Sequence, residues 1–265
     1  MLSRGAIASR FPHRPWVSFT LHPTTTAAVG PNILLISIDS LRSDHLSCYG
    51  YGKETSPTID RLADTGALFE TVVSPTSWTL PAHHTLLTGL APERHGVIYP
   101  TQRLDTDVTT LAEVLRDAGY VTFGVVSGSY LDASYGFHQG FEVYDEFSSL
   151  YRADIGRVVT SPSVSRATEG WLHHWDREER GRPCFAFLHM WDVHHDYNPP
   201  APYDTIFDPD YSGNVTSEDF TFSDRIRPTM DSRDLDHILA LYDGEIRYTD
   251  YYVDQILDVV TLLSG

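Results

Sequence analysis

Residues 77–89, SWTLPAHHTLLTG, set the Thr79 hydroxyl two residues ahead of Pro81 and the His83 imidazole four residues beyond that hydroxyl. Proline suits the first turn of a helix, where its missing N–H costs nothing, and Gly89 suits the helix end. The spacing predicts a helix over 81–89 with Thr79 just in front of it. A helix start presents unpaired N–H groups and a partial positive charge, which together hold an oxyanion such as phosphate or sulfate. A hydroxyl beside that anion can attack it once ionised, and metal coordination ionises it. Asp39, at the end of the apolar run 31–39, is the hard-oxygen ligand that fold logic brings nearest. Asp39 and Thr79 would then share a divalent cation. Each residue also has a plainer reading. Thr79 would serve as a helix cap, Asp39 as a strand-end turn residue, and His83 and His84 as surface or supporting groups.

Such side chains need a scaffold, and the chain reads as alternating strands and helices. PNILLISID (31–39) is a buried strand by its continuous apolar run. SPTIDRLADTGALF (56–69) is a Ser-capped helix with proline in its first turn and a Gly66 stop. FETVVS (69–74) reads as a short strand. Residues 107–119 are helical, with Leu111, Val114 and Leu115 on one face. YVTFGVVS is the next strand, 163–178 a helix, and CFAFLHMWDVH a strand running into a polar tip. Residues 198–232 hold five prolines and read as a surface excursion, ahead of a long final helix. Strands separated by helices of ten or more residues imply an α/β fold, a mainly parallel sheet with helices on both faces. Function in such sheets gathers at the carboxyl ends of the strands. Asp39, Thr79 and His194 all stand after a strand or between a strand and a helix.

Composition narrows the function classes. The 265 residues are 41% hydrophobic, enough for a large core, and no run is long enough to span a membrane. The net charge is −17, from 36 acids against 19 bases, and Lys53 is the sole lysine. That excludes a nucleic-acid partner, which needs a basic footprint. It fits a halophilic, cytoplasmic protein kept soluble by charge. Cys48 and Cys184 are too few for a disulfide framework or a zinc pattern and read as buried free thiols. Residues 1–30 hold Arg4, Arg10 and Arg14 and no acid, and read as a disordered or spurious leader ahead of one domain, 31–265.

Five segments in order resemble the sulfatase family of the alkaline-phosphatase-like superfamily. They are PNILLISIDSLRSDHLSCYGY, SPTSWTLPAHHTLLTGLAPERHGV, AGYVTFGVVSGSYLDASYGFHQGFEVYD, FLHMWDVHHDYNPP and YDGEIRYTDYYVDQILDVV. The resemblance implies a metal hydrolase of sulfate esters with Asp39 as a metal ligand and Thr79 at the nucleophile position. It also implies a substrate-side role for His194, from the pattern Asp192-Val193-His194. His83 falls where sulfatases usually carry an arginine. The segment Thr79-Leu-Pro81-Ala-His83 is similar to the Thr-x-Pro-x-His segment of nucleotide pyrophosphatase/phosphodiesterases, in which a metal-bound threonine attacks phosphodiesters. Formylglycine, made from Cys or Ser in sulfatases, is not expected at Thr79. Ser127 and Ser129 replace the usual Lys-x-His, and Ser40 stands where a second acidic ligand is frequent. The family's Asp-His-Gly metal segment is absent from the sequence.

The expectation is therefore the N-terminal part of a metal hydrolase, weak or inactive alone, with an open sheet edge for a partner or missing segment. Its cation would be calcium, magnesium or manganese by its oxygen ligands, or zinc if histidines join. Its substrate would be a small sulfate or phosphate ester, with a non-catalytic anion-binding or interaction protein as the alternative. Asp44, Arg94 and His95 read as loop and helix hydrogen-bonding groups. Glu245, Arg247 and Asp250 read as a solvated or ion-paired helix face.

Overall fold

The computed structural model describes residues 30–146, 160–216 and 226–264. The leader at 1–29 and the stretch 217–225 of the excursion lie outside the described residues. Among the described residues four strands form one sheet: β1 (Ile33–Ile38), β2 (Val121–Val126), β3 (Val143–Asp145) and β4 (Cys184–Met190). Their order is β1-β4-β2-β3, and every pairing is parallel. Among the described residues, β1 pairs on one side only. The helices are α1 (Pro57–Thr65), α2 (Thr79–Thr88), α3 (Pro92–His95), α4 (Leu111–Asp117), α5 (Ser161–Glu178) and α6 (Ser232–Ser264).

Side chains of a strand alternate between faces, and that period sorts the core into two layers. Ile33, Leu35, Phe185 and Phe187 meet Leu80, Leu87 and Ala112 on the α2 and α4 side. Leu34, Ile36, Ala186 and Leu188 meet Val164 and Leu172 of α5 and Val253 and Ile256 of α6 on the other. Helices thus cover both faces, as a parallel sheet of continuously apolar strands requires. No helix among the described residues is long and apolar enough to cross a membrane.

Three local expectations are corrected. FETVVS forms no strand: Phe69, Val72 and Val73 are 71, 78 and 83% exposed and meet no sheet edge. Alternation there follows local propensity, and a strand exists only where a neighbour accepts its hydrogen bonds. Helix α2 begins at Thr79 rather than at Pro81, with Trp78 in the cap position. Thr79 is therefore a first-turn residue, and its hydroxyl is not the helix cap. On the last helix, where a solvated or ion-paired face is expected, Arg247 is ion-paired with Glu54, but Glu245 and Asp250 are buried. Asp250 is buried and accepts from the Thr58 and Ile59 amides at 2.9 and 3.0 Å, closing the open N-terminus of α1. Buried Glu245 accepts from the Asn198 amide, and Arg247 reaches the Glu54 carbonyl and carboxylate. Helix starts and loop amides lack partners of their own, and α6 supplies them.

Helix ends differ too: Ser56, read as the cap of α1, makes no side-chain capping bond, and the helix expected over 107–119 spans Leu111–Asp117. Helix α4 opens on a reciprocal cap between Thr110 and Glu113. The described part of the excursion holds turns but neither helix nor strand. It lies against α6 where Gly244 leaves room: a Cβ there would stand 2.3 Å from the Tyr203 carbonyl oxygen. Both cysteines are free, Cys184 buried and Cys48 only half-buried.

Candidate functional site

Asp39 follows β1 directly, its amide bonded to the Met190 carbonyl at the end of β4. This fixes it at the carboxyl end of the sheet. Counting by twos from Ile33 and Leu35, Ser37 and Asp39 face α2, and counting from Phe185 and Phe187, so does His189. Ser37 and His189 are register partners across β1 and β4. Helix α2 crosses above them and lowers Thr79 and His83 onto the same spot. The Thr79 hydroxyl donates to Asp39 Oδ2 at 2.8 Å. Its neighbour Ser40 donates to Oδ1 at 3.0 Å and holds a left-handed backbone, φ +55°. The Tyr242 hydroxyl clamps that strained residue by donating to the Ser40 carbonyl at 2.8 Å.

His83 ties the helix to the strands. Its Nδ1 meets the Thr79 carbonyl at 2.8 Å and its Nε2 meets Ser37 Oγ at 2.7 Å. His189 lies edge-on to the His83 ring, its Nδ1 3.3 Å from the same Ser37 Oγ. Its Nε2 stands 3.5 Å from Asp39 Oδ2 and makes no hydrogen bond. Burial, reinforced by the adjoining His189, brings the His83 pKa down to about 4, so the ring is neutral. Burial alone would raise the Asp39 carboxyl. The adjoining His189 ring and the Thr79 and Ser40 hydroxyls outweigh it and hold the group well below the usual carboxylate range. The site is thus an ionised carboxylate against a threonine hydroxyl at a helix start.

The sequence expectation for Asp39, Thr79 and His83 matches one cluster. His194 is elsewhere: its ring stacks on Trp191 at 3.9 Å, and its Nδ1 meets the His195 carbonyl. Asp192, from the same pattern, is buried at the start of α5, accepting from the Thr160 hydroxyl and the Ser161 amide at 2.8 and 2.6 Å. The neighbour His195 does feel the Asp39 charge, which partly offsets the burial that lowers its pKa. Ser127 donates to the His189 carbonyl at 2.8 Å and so braces the strand end rather than facing the cluster. Of the residues read as hydrogen-bonding groups, Asp44 pairs with Arg42 at the surface, while buried His95 accepts from the Val97 amide.

Sequence reasoning missed Ser37 and His189. The signal was present: each is the lone polar residue inside an otherwise apolar strand, and the period of two puts both on the Asp39 face. For a divalent cation, the carboxylate and the threonine oxygen fit one wall of a site, with the unpartnered Nε2 beside them. A hard cation takes six or more oxygens. Among the described residues no group of three or more His, Cys, Asp or Glu side chains converges as a metal site.

Comparison with known proteins agrees with this architecture. Bovine (Bos taurus) arylsulfatase A is 40% identical over 127 residues, covering 43% of this chain and 25% of that protein. The chain thus matches about a quarter of that relative's length. Among solved structures, the phosphonate monoester hydrolase of Agrobacterium radiobacter superposes with a TM-score of 0.67 at 22% identity, over 88% of this chain and 60% of that one. The zinc complex of the C-terminal periplasmic domain of EcEptC from Escherichia coli gives 0.60 at 18%, over 89% and 61%. These two likenesses are of fold. The sulfatase family model matches residues 31–261, nearly the whole described chain, and the chain belongs to the sulfatase family.

Proposed function

We propose that the chain carries the nucleophile of an ester hydrolase and that Thr79 attacks the sulfur of a sulfate ester. The observation that carries this is the 2.8 Å bond from the Thr79 hydroxyl to the ionised Asp39 at the first turn of α2. Asp39 fixes the hydroxyl rotor and leaves an oxygen lone pair free to face an incoming ester. The first intrahelical bond of α2 runs from the Ala82 amide to the Trp78 carbonyl, so the Thr79 and Leu80 amides precede it. Such first-turn amides suit the nonbridging oxygens of the anion. His83 locks that turn by holding the Thr79 carbonyl. Asp39 and Thr79 would hold a divalent cation, whose chemistry is to acidify the hydroxyl. In the reaction the Thr79 hydroxyl gives up its proton to water and the Oγ–S bond forms as the ester S–O bond breaks, and the leaving oxygen keeps the electron pair and takes up a proton to depart as the alcohol. Water then cleaves the threonine ester, and sulfate departs.

A second reading, attack on the phosphorus of a phosphodiester, is favoured by one specific feature. The nucleophile is a threonine backed by His83, and threonine is not a source of formylglycine. Intact-mass and peptide analysis is expected to show Thr79 unmodified. The half-built donor wall and the one-sided pairing of β1 among the described residues support a further segment or partner completing the sheet edge.

The test is turnover of aryl sulfate and aryl phosphodiester substrates by the protein purified from its own host. Thr79→Ala should cost at least about a thousandfold, with Thr79→Ser retaining part of the rate. Full activity in Thr79→Ala would overturn the assignment. The better substrate decides between sulfate and phosphodiester.

A further inference from the structure

We propose that Tyr242, a residue of α6 that bonds to neither Asp39 nor Thr79, is the positioning residue that fixes the Asp39 carboxylate behind the Thr79 hydroxyl. This rests on the reading of Thr79 as the nucleophile, and it adds the residue that sets the nucleophile's geometry.

Both oxygens of Asp39 are held by hydroxyls. Oδ2 accepts from Thr79 at 2.8 Å and Oδ1 from Ser40 at 3.0 Å. The plane of the carboxylate, and with it the direction of the Thr79 hydroxyl, therefore depends on where Ser40 stands. Among the described residues Ser40 is the one non-glycine with a positive φ, +55°. A Cβ disfavours that left-handed backbone, which glycine adopts freely and serine keeps only with outside support. The support comes from one oxygen atom. Tyr242 Oη donates to the Ser40 carbonyl at 2.8 Å and accepts from the Arg42 amide at 2.9 Å. A single hydroxyl bridges the two sides of the turn and pins Ser40 in its strained state.

Packing alone does not call for this hydroxyl. Tyr242 is buried, with its ring edge-on to His45 and Tyr197 at 4.9 and 5.0 Å, contacts that a phenylalanine ring would make as well. Ser40 and Arg42 are exposed, so water is at hand for their backbone groups. What water cannot do is hold the two groups in one fixed relation. Burial pushes the Tyr242 pKa above that of a free phenol, so the proton stays in place to be donated. Without the bridge, Ser40 relaxes toward negative φ and its Oγ leaves Asp39 Oδ1. The carboxylate is then free to turn, and Thr79 loses its fixed acceptor. A misplacement of about 1 Å at a reacting group costs about a hundredfold in rate.

Tyr242→Phe keeps the ring and removes the bridge, and it is the first test. The kcat of Thr79-dependent turnover should fall by about tenfold to a hundredfold, with KM changed by less than about threefold. Amide hydrogen exchange reads the same variant without turnover. The Arg42 amide should exchange at least about tenfold faster than in the parent. The Thr58 and Ile59 amides, held by Asp250 further along the same helix, should keep their parent rates. Faster exchange at all three would mean that α6 as a whole has come loose, which overturns the specific role. So would an Arg42 amide that exchanges at the parent rate. Ser40→Gly supplies the second variant. Glycine accepts the left-handed backbone unaided, so adding Tyr242→Phe to it should lower kcat by no more than about threefold. An equal penalty with and without Ser40→Gly would refute the backbone route. Full turnover in Thr79→Ala would remove the proposed function and leave the exchange rates to judge the clamp. Thr79-dependent turnover indifferent to Tyr242→Phe would remove only this inference.

Discussion

At the scale of residues, the molecule keeps several histidines neutral by burying them. His84 is the furthest from any catalytic use. It stacks on Phe137 at 3.9 Å with its Nε2 unpartnered. Burial, with His95 and His83 nearby, lowers its pKa from 6.5 to about 3. The unfolded chain therefore takes up a proton at higher pH than the folded one. Stability from this residue is complete above about pH 6.5 and falls as the pH drops toward 3, by roughly 1.4 kcal/mol per pH unit. Asp39, also depressed, keeps its contribution until the pH falls below its unfolded value of 3.8. The first acid loss thus comes from imidazole. Thermal melts of His84→Leu should show a flatter limb between pH 6.5 and 4 than the parent, and an unchanged slope would refute this. Asp39, Thr79 and His83 were legible because motif spacing and strand ends mark them. Ser37 and His189 were not read: the period of two marks their face, but their pairing across β1 and β4 is set only by the sheet order.

At the scale of elements, continuous apolar runs announced β1, β2 and β4, because a strand covered on both faces needs such a run. Their order was not written in any of them: β4 inserts between β1 and β2, and only tertiary pairing decides that. The FETVVS expectation failed for the same reason. The acids of α6 were misread because nothing local marks a carboxylate that serves a helix 190 residues away. Asp250→Asn keeps one acceptor oxygen for the α1 amides and loses the charge. Asp250→Ala leaves both amides buried without a partner, and should cost about 2 kcal/mol or more against about 1 for the amide. Urea denaturation of the two variants checks this, and equal midpoints would refute the capping role. A second anchor on α6 is fully buried Asp243, which takes His45, Tyr51 and Lys53 at 2.7, 2.8 and 2.7 Å. It uses the single lysine of the chain, so Lys53→Met should destabilise although the side chain is 40% exposed.

At the scale of the whole molecule, a net charge of −17 sets up self-repulsion that salt screens. The screening length falls from about 10 Å at 0.1 M salt to about 3 Å at 1 M. The melting temperature should rise by several degrees over that interval, measured in potassium chloride. A flat or falling curve would remove the halophilic reading. Charge and composition were legible from the start. The way distant stretches close on one another was not, since it depends on which buried acids meet which open amides.

The anchoring of α6 also fixes a timetable. Asp250 holds amides 191 and 192 positions earlier, and Asp243 holds side chains 190 to 198 positions earlier. A ribosome adding about 5–20 residues per second needs about 10–40 s to cover that distance. Through that interval the start of α1 and the loop carrying His45 and Lys53 have been synthesised but lack their acids. Those segments thus stay open to proteases and holdases until α6 emerges, and they close together in one step.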